Sequence, residues 1–189
     1  MIAEQSLTTY RNLITLKDGA RVLLRLLTPD DRQRLIDLFA PVSSDDAKYL
    51  RNKVSNEEMV GQWVDDMNYS RVLPLVAVMQ DRIVGDATLH FGEGPRRHIG
   101  EVRIFLTKDF RRRGLGSHML RALIDLGRKS GLHQLTAEVV AEQTKVIKAF
   151  QNVGFQVQCT YDDYFMFPDG DTADVVVLAM KLISREEEF

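Results

Sequence analysis

Two spacings of apolar residues follow one another along the chain. Runs such as "RVLLRLL", "VLPLVAVMQDRIVGDATLHF" and "EVRIFLT" are rich in β-branched residues and bounded by polar ones, which is typical of strands. Residues 114–130 instead place their apolar positions on one helical face, at Leu115, Met119, Leu123 and Leu126. Because such strands and helices alternate to the end of the chain, we predict a mixed sheet with helices on its faces.

Turn and cap residues separate these segments. Asp18-Gly19 predicts a tight turn between the first two strands, and Gln80-Asp81 predicts a hairpin turn. Thr28, followed by Pro29, predicts the start of a helix over "TPDDRQRLIDLF". One or two further helices are expected between residues 43 and 67, with Ser55 as a cap.

Length and composition predict a single domain over residues 1–189, with 1–18 as an N-terminal extension and 184–189 as a solvated tail. A net charge of -2 carries no basic footprint for nucleic acid, and no segment has the apolar length of a membrane span. Cys159 is the single cysteine, so a disulfide framework is excluded and a reducing compartment fits. We expect a cytoplasmic protein and leave a homodimer open.

The segment "RRRGLG", residues 111–116, combines arginines and glycines before a helix start. It lacks the Gly-Lys-Ser/Thr of a P-loop, and Met119 stands where a dinucleotide fingerprint needs its third glycine. Glycines, positive charge and a helix N-terminus nonetheless suit a diphosphate. The alternative is a solvated basic loop in which the glycines only permit close packing.

The pattern Arg111-x-x-Gly114-x-Gly116 after "VRIFLT" resembles the coenzyme A pyrophosphate loop of the GNAT superfamily of N-acetyltransferases. The segment "AEVVAEQTKVIKAFQNVGF" resembles a second landmark of the family, a strand followed by a helix that ends in an aromatic residue, three further residues and Gly-Phe. The segments "LRLLTPDDRQRLIDLFAPVSSDDAKYLR" and "GEVRIFLTKDFRRRGLG" look most like the bacterial protein-lysine acetyltransferases of the Pat-type branch.

The resemblance implies the GNAT fold, a mostly antiparallel mixed sheet of about seven strands with a splayed strand before the loop. It implies that backbone groups of Ile104 and Leu106 pair with the pantetheine arm of acetyl-CoA. It also implies that one continuous segment wraps the pyrophosphate, formed by Arg111, Arg112, Arg113, Gly114, Leu115, Gly116 and Ser117.

The sequence departs from the family pattern at two cofactor-side positions. Gln143 stands where many members have Asn, and Phe150 stands where many have a tyrosine that protonates the leaving thiolate. Phe150 cannot donate a proton, so the thiolate must leave unassisted or the protein only binds acyl-CoA. We expect Phe150 to pack its helix onto the sheet or to line the cleft. Tyr161 and Tyr164 are alternative acids.

The resemblance assigns the general base to Glu101, five residues before the end of the splayed strand. The alternative is a strand carboxylate that only pairs with Arg103, in which case Glu93, His90 or a water chain would serve as base. The four histidines show no ligand spacing, so no metal is expected.

The expected function is therefore acetyl-CoA-dependent transfer of an acetyl group to an amine, preferably a protein lysine. The alternatives are a small-amine acetyltransferase and a non-catalytic acyl-CoA sensor.

Overall fold

The computed structural model describes residues 9–50, 54 and 56–183. Its strands are β1 Arg11–Thr15, β2 Arg21–Leu26, β3 Val72–Met79, β4 Arg82–Phe91, β5 Ile99–Leu106, β6 Gln134–Val140, β7 Gln156–Met166 and β8 Thr172–Lys181. Its α-helices are α1 Arg32–Phe39, α2 Ser44–Ala47, α3 Glu57–Asp65, α4 Leu115–Lys129 and α5 Thr144–Asn152. Short 3-10 segments cover Pro29–Asp31, Gly94–Arg96 and Lys108–Phe110.

All eight strands form one sheet in the order β1-β2-β3-β4-β5-β6-β8-β7. The β5–β6 pair is parallel and every other pair is antiparallel. The predicted mixed, mostly antiparallel sheet is therefore present, with eight strands against the expected seven or so. Strand β1 lies inside residues 1–18, the segment that we expected to be an extension.

Local turn and cap chemistry follows the sequence closely. Gln80 and Asp81 both have positive φ, 48° and 66°, which suits the right-handed twist of the β3–β4 hairpin. Helix α3 is capped by Asn56, whose side-chain oxygen accepts from the backbone N–H of Met59 at 3.1 Å. Ser55, the predicted cap, lies outside the described residues, and the capping oxygen is that of the next residue.

Helix α1 is fixed to the sheet by Asp31, which is fully buried. Its carboxylate accepts two hydrogen bonds from Arg25 of β2 and one each from the backbone N–H and hydroxyl of Thr28. Burial alone would raise the pKa of Asp31, but these hydrogen bonds outweigh it and lower the pKa to about 2. The helix predicted from Thr28 thus begins as a 3-10 turn built around this ion pair.

Each face of the sheet carries its own core. Helix α4 packs on one face through Leu115, Met119, Leu123 and Leu126, the four apolar positions predicted from the sequence. Helices α1 and α3 pack on the other face, in a smaller cluster with Val76 of β3. No described helix is long and apolar enough to cross a membrane.

Candidate active site

The sheet opens into a fork between its two parallel strands. Strands β5 and β6 pair only at Ile99–Gln134, Gly100–Leu135 and Glu101–Thr136. Beyond Glu101, β5 stays with β4 as far as Leu106, while β6 continues with β8 as far as Val140. The last five residues of β5 therefore have no partner strand on the β6 side.

The direction of the β5 backbone follows from the hydrogen bonds at its two ends. The carbonyl of Ile99 accepts a hydrogen bond from the N–H of Gly92, which follows β4, and the N–H of Thr107 donates to the carbonyl of Val84 in β4. The backbone N–H and C=O groups of the odd-numbered residues of β5 therefore point towards β4. The carbonyl of His98 accepts a hydrogen bond from the N–H of His133, so the backbone groups of the even-numbered residues point towards β6. Alternation along the strand thus directs the N–H and C=O of Ile104 and Leu106 into the fork.

The basic loop lies at the open end of this fork. Gly114 has φ +89°, a left-handed conformation that favours glycine, and it immediately precedes the first turn of α4. Arg112 also has positive φ, 62°. A Cβ on Gly116 would lie 3.4 Å from Cδ1 of Leu106, so the helix start runs close beside the end of β5. Leu115 is fully buried and anchors this turn to the core, while Ser117 is half-buried.

The three arginines of the loop have different surroundings. Arg111 donates through Nε to the carbonyl of Leu106 at 3.1 Å and through Nη2 to Asp46 at 3.4 Å. Arg113 pairs with Asp18 and lies over the ring of Phe110, 4.2 Å from its centroid. Arg112 is exposed and has no ion pair within the described part of the chain. Arg111 and Arg113 thus hold the loop to neighbouring elements, and Arg112 does not.

A cleft of about 950 Å³ passes through the fork. On one face of the sheet it is bordered by Val146 and Phe150 of α5, and on the other by Phe39 and Trp63. Of the residues predicted from the sequence, Glu101, Ile104, Gln143 and Phe150 line this cleft. Leu106 and the loop residues 111–117 are not among the residues that line it.

Gln143 and Phe150 take different positions on α5. Gln143 is the N-cap residue, and its backbone N–H donates to Val140 at 2.9 Å. Phe150 is 1% exposed and meets Phe155 edge to face, with ring centroids 5.1 Å apart. Phe150 therefore both packs the helix onto the sheet and borders the cleft. Tyr161 and Tyr164, the alternative acids, stack on each other on the exposed edge strand β7 and do not line the cleft.

Glu101 lies at the vertex of the fork, in the last residue pair before the strands part. Arg103 donates to both of its carboxylate oxygens, Nε to Oε1 at 3.0 Å and Nη2 to Oε2 at 3.3 Å. The Glu101 side chain is 25% exposed. The ion pair that we weighed against a catalytic role is thus present, in a residue that also lines the cleft.

A row of polar side chains, which sequence reasoning missed, follows β4 on the cleft side. Asp86, Thr88 and His90 alternate along the strand and face Phe105, Arg103 and Glu101 of β5. The Thr88 hydroxyl and His90 Nε2 are hydrogen-bonded at 2.9 Å. Burial raises the pKa of Asp86 to about 7. The signal was available in "GDATLH", where every second residue is polar within an apolar strand.

Tyr49, also missed, reaches over the cleft from the segment after α2. Its hydroxyl donates to Glu142 at 3.2 Å, and its ring meets Phe167 edge to face at 5.9 Å. Asp46 of α2 pairs with Lys108 and Arg111 beside the basic loop. Residues 46–49 therefore bridge the two sides of the fork. No periodicity of the sequence pointed to this contact.

The described residues contain no group of three or more His, Cys, Asp or Glu side chains that could hold a metal ion. His98 and His133 meet as rings, with centroids 5.7 Å apart, at the start of β5 and β6. His90 lies in the cleft as described above.

The model of the family described as "Acetyltransferase (GNAT) domain" matches residues 21–156. The chain belongs to the GNAT acetyltransferase family. Family members are N-acetyltransferases, and the fork, the basic loop and α4 of this GNAT protein lie inside the matched region.

Solved structures agree on the fold. The GNAT domain of S. lividans PAT is 21% identical, with a TM-score of 0.75 over 90% of this chain and 96% of that one. Ribosomal-protein-S5-alanine acetyltransferase from Vibrio fischeri is 17% identical, with a TM-score of 0.76 over 85% and 92%. A ribosomal L7/L12 α-N-protein acetyltransferase in complex with coenzyme A is 15% identical, with a TM-score of 0.75 over 85% and 93%. The GNAT assignment is confirmed, while the neighbours span several acceptor types and do not single out the Pat branch.

Proposed function

We propose that this GNAT protein transfers the acetyl group of acetyl-CoA to a lysine side chain of a protein, with Glu101 as general base. The observation that carries the proposal is the position of Glu101, a cleft-lining carboxylate at the vertex of the fork. The backbone groups of Ile104 and Leu106 turn into the same fork. An extended arm lying along them would end beside Glu101.

The chain offers groups that suit each part of coenzyme A. The backbone N–H and C=O of Ile104 and the N–H of Leu106 face the fork and can pair with the amides of the pantetheine arm, while the C=O of Leu106 accepts from Arg111. The left-handed Gly114, the N-terminus of α4 and the exposed Arg112 suit the diphosphate. The Arg111–Asp46 ion pair can exchange its carboxylate partner for a phosphate. When bound, acetyl-CoA supplies the thioester whose carbonyl the acceptor amine attacks.

Glu101 would take up the proton that the acceptor loses. A lysine amine has a pKa near 10.4, so at neutral pH it arrives as an ammonium and must be deprotonated before it can attack. Arg103 keeps the Glu101 carboxylate oriented towards the cleft side of the sheet. A carboxylate has about four acceptor sites, so the hydrogen bonds from Arg103 are compatible with one from the acceptor ammonium or from a bridging water.

The cleft walls support an acceptor with an aliphatic stem. Phe39, Trp63 and Met67 form an apolar wall on the α1 and α3 face. A lysine side chain can lay its methylene groups along such a wall while its amine reaches the fork. The likeness of the opening segment to the Pat-type branch adds a separate, sequence-based support for lysine.

Direct transfer in a ternary complex fits the chain better than an acyl-cysteine intermediate. Cys159 is the single cysteine of the sequence, and it lies on β7, away from the cleft lining. A thiol is also a good leaving group, with a pKa near 8.5, so its departure requires no tyrosine at position 150.

The proposal is tested by following thiol release from acetyl-CoA with three acceptor sets: lysine-containing peptides with blocked N-termini, peptides with a free N-terminus but no lysine, and small amines. Coenzyme A affinity is measured separately by calorimetry. Turnover of the blocked lysine peptides supports the proposal. If only one of the other two sets is acetylated, the acceptor is a peptide N-terminus or a small amine and not a lysine side chain. Binding without any turnover would leave an acyl-CoA sensor.

A further inference from the structure

Asp86 lines the cleft on the same face of the sheet as Glu101, four residues along β4 from His90, the residue that pairs with Glu101. It is half-buried on β4, and its cross-strand neighbours are the apolar Val76 of β3 and Phe105 of β5. Helix α1 covers this part of the sheet and contributes Leu35 and Phe39 to the cleft wall. A carboxyl group is thus held at the inner end of an apolar pocket.

The carboxyl group of Asp86 has no hydrogen-bond donor and no cation beside it among the residues that the structure describes. Asp31, the buried acid that precedes α1, shows the contrast, because it is matched by Arg25, Arg34 and Thr28. A buried carboxyl without partners costs free energy, and an apolar or amide residue would serve packing better. The fold itself therefore gains nothing from an acid at position 86.

Asp86 and Glu101 belong to different cross-strand pairs of β4 and β5, with one further pair on the same face between them. Glu101 pairs with His90, Arg103 with Thr88, and Phe105 with Asp86. Four residues of strand correspond to about 14 Å along β4. One ammonium group cannot contact both carboxylates over this distance, but two cationic groups of one acceptor can.

We propose that Asp86 binds a second cationic group of the acceptor, roughly 10 to 14 Å from the amine that is acetylated. The inference rests on the proposed function and narrows its substrate class to dicationic acceptors. The stem between the two charges lies along the apolar wall formed by Phe39 and Phe105, whose rings are 5.2 Å apart. The second cation supplies the partner that Asp86 lacks within the chain. Two kinds of acceptor carry two such cationic groups: an α,ω-diamine, and a peptide in which a lysine is accompanied by a second basic side chain.

The test compares α,ω-alkanediamines of increasing length with n-alkylamines of equal length as acceptors. We expect the wild-type protein to prefer diamines of one length range about 10- to 100-fold in kcat/KM, the worth of one charge-assisted hydrogen bond. Asp86→Asn should remove that preference by lowering the kcat/KM of the diamines to that of the monoamines, with the affinity for coenzyme A unchanged. Asp125→Asn, an exposed acid on α4, is the matched control and should keep the preference. A peptide arm compares Lys-spacer-Lys with Lys-spacer-norleucine and separates the two sources of the second charge.

Three results would overturn the inference. Equal kcat/KM for diamines and monoamines at every length would show that the protein does not bind a second cationic group of the acceptor. A loss of monoamine turnover in Asp86→Asn, with intact coenzyme A binding, makes Asp86 the group that acts on the reacting amine. If no amine is acetylated at all, the proposed function fails, and calorimetry with α,ω-bis(trimethylammonium) alkanes, which cannot accept an acetyl group, still decides the role of Asp86. Equal affinity of these probes for wild type, Asp86→Asn and Asp86→Ser contradicts it, with folding of each variant checked by circular dichroism.

Discussion

The guanidinium of Arg103 donates hydrogen bonds to both carboxylate oxygens of Glu101, at 3.0 and 3.3 Å. Glu101 and Thr136 form the last residue pair before β5 and β6 part. The side chains of Glu101 and Arg103 are next-but-one neighbours on the same face of β5, so the ion pair is built into a single strand. It holds the carboxylate at the vertex of the fork, where the cleft passes. The proposed base is thus oriented by the protein before an acceptor arrives.

Glu101→Gln should retain coenzyme A affinity and lose turnover by about 10²- to 10⁴-fold, the usual effect of removing a general base. Part of the loss should be recovered at high pH, where more of the acceptor is free amine. Calorimetry with coenzyme A and a kcat profile between pH 7 and 10 make both measurements. Glu93→Gln is the control, because Glu93 also borders the cleft but is 79% exposed and pairs with Arg71. Full activity of Glu101→Gln at pH 7, with loss in the control, would move the role to Glu93.

Gly114→Val should weaken coenzyme A binding at least tenfold. The substitution forces a β-branched residue to φ +89° and places a side chain where the loop backbone would approach the diphosphate. Gly131→Val is a matched control, because Gly131 has φ +75° at the other end of the same helix and no atom within 4 Å of an added Cβ. Both variants should lose about 1 to 3 kcal/mol of unfolding free energy.

Only Gly114→Val should change the dissociation constant, measured by calorimetry below the unfolding transition. Equal affinities of the two variants for coenzyme A would show that the loop does not hold the diphosphate.

Phe150→Ala should lower the free energy of unfolding by about 3 to 5 kcal/mol, because a fully buried ring is removed from the contact between α5 and the sheet. Phe150→Tyr should leave turnover within a small factor, since a thiolate leaves without an acid. Denaturant unfolding and steady-state kinetics separate the two effects. A gain of orders of magnitude in Phe150→Tyr would mean that the missing proton donor limits the native enzyme.

Much of the architecture was predictable because its determinants are local. The glycine-arginine loop, the strand before it and the amphipathic helix after it lie within residues 99–130, and each carries its own periodicity or turn residue. The short edge strand β1 was also predicted, from the segment "LITL" before the turn at Asp18-Gly19. Only the count of about seven strands, which came from the family resemblance, falls short of the eight in the sheet.

The cleft was harder to predict because its walls come from distant parts of the chain. Asp86 is buried by α1, some fifty residues earlier, and Tyr49 meets Glu142 across the fork. Alternation showed that Asp86, Thr88 and His90 share a face, but only the packing of α1 makes one of them an acid in an apolar site. The Glu101–Arg103 pair could be anticipated, since residues two apart on a strand share a face.

Asp31→Asn should destabilise the protein by about 3 to 5 kcal/mol at pH 7, because the partly buried Arg25 loses its charged partner. The pKa of Asp31 is about 2 in the folded state and near 3.8 unfolded, so its stabilising effect is complete above about pH 5 and is lost as the pH falls through 2. The wild-type protein should therefore lose about 2 kcal/mol over that range from this group alone. Denaturant unfolding at several pH values should show the difference between wild type and variant narrowing in acid. Asp37→Asn, an exposed acid on the same helix that bonds Gln33, should behave like wild type.

Asp86→Asn should change stability in the opposite direction. Burial raises the pKa of Asp86 from 3.8 to about 7, so the folded state disfavours the charged form and holds a proton that the unfolded chain releases. The wild-type free energy of unfolding should accordingly fall as the pH rises from about 4 to 7, by at most about 4 kcal/mol and by less where cleft water reaches the carboxylate. An amide of the same shape carries no such charge. The variant should therefore match wild type near pH 4, where Asp86 is protonated, and exceed it at pH 8.

Parallel denaturant titrations at pH 4, 6 and 8 measure this difference directly. Adding a dicationic ligand at pH 8 should raise the stability of wild type but not of the variant, because only the carboxylate pairs with the second charge. A variant that is no more stable than wild type at pH 8 would mean that Asp86 already has a partner in solution, and the site proposed for the second cation would then be occupied by the protein itself.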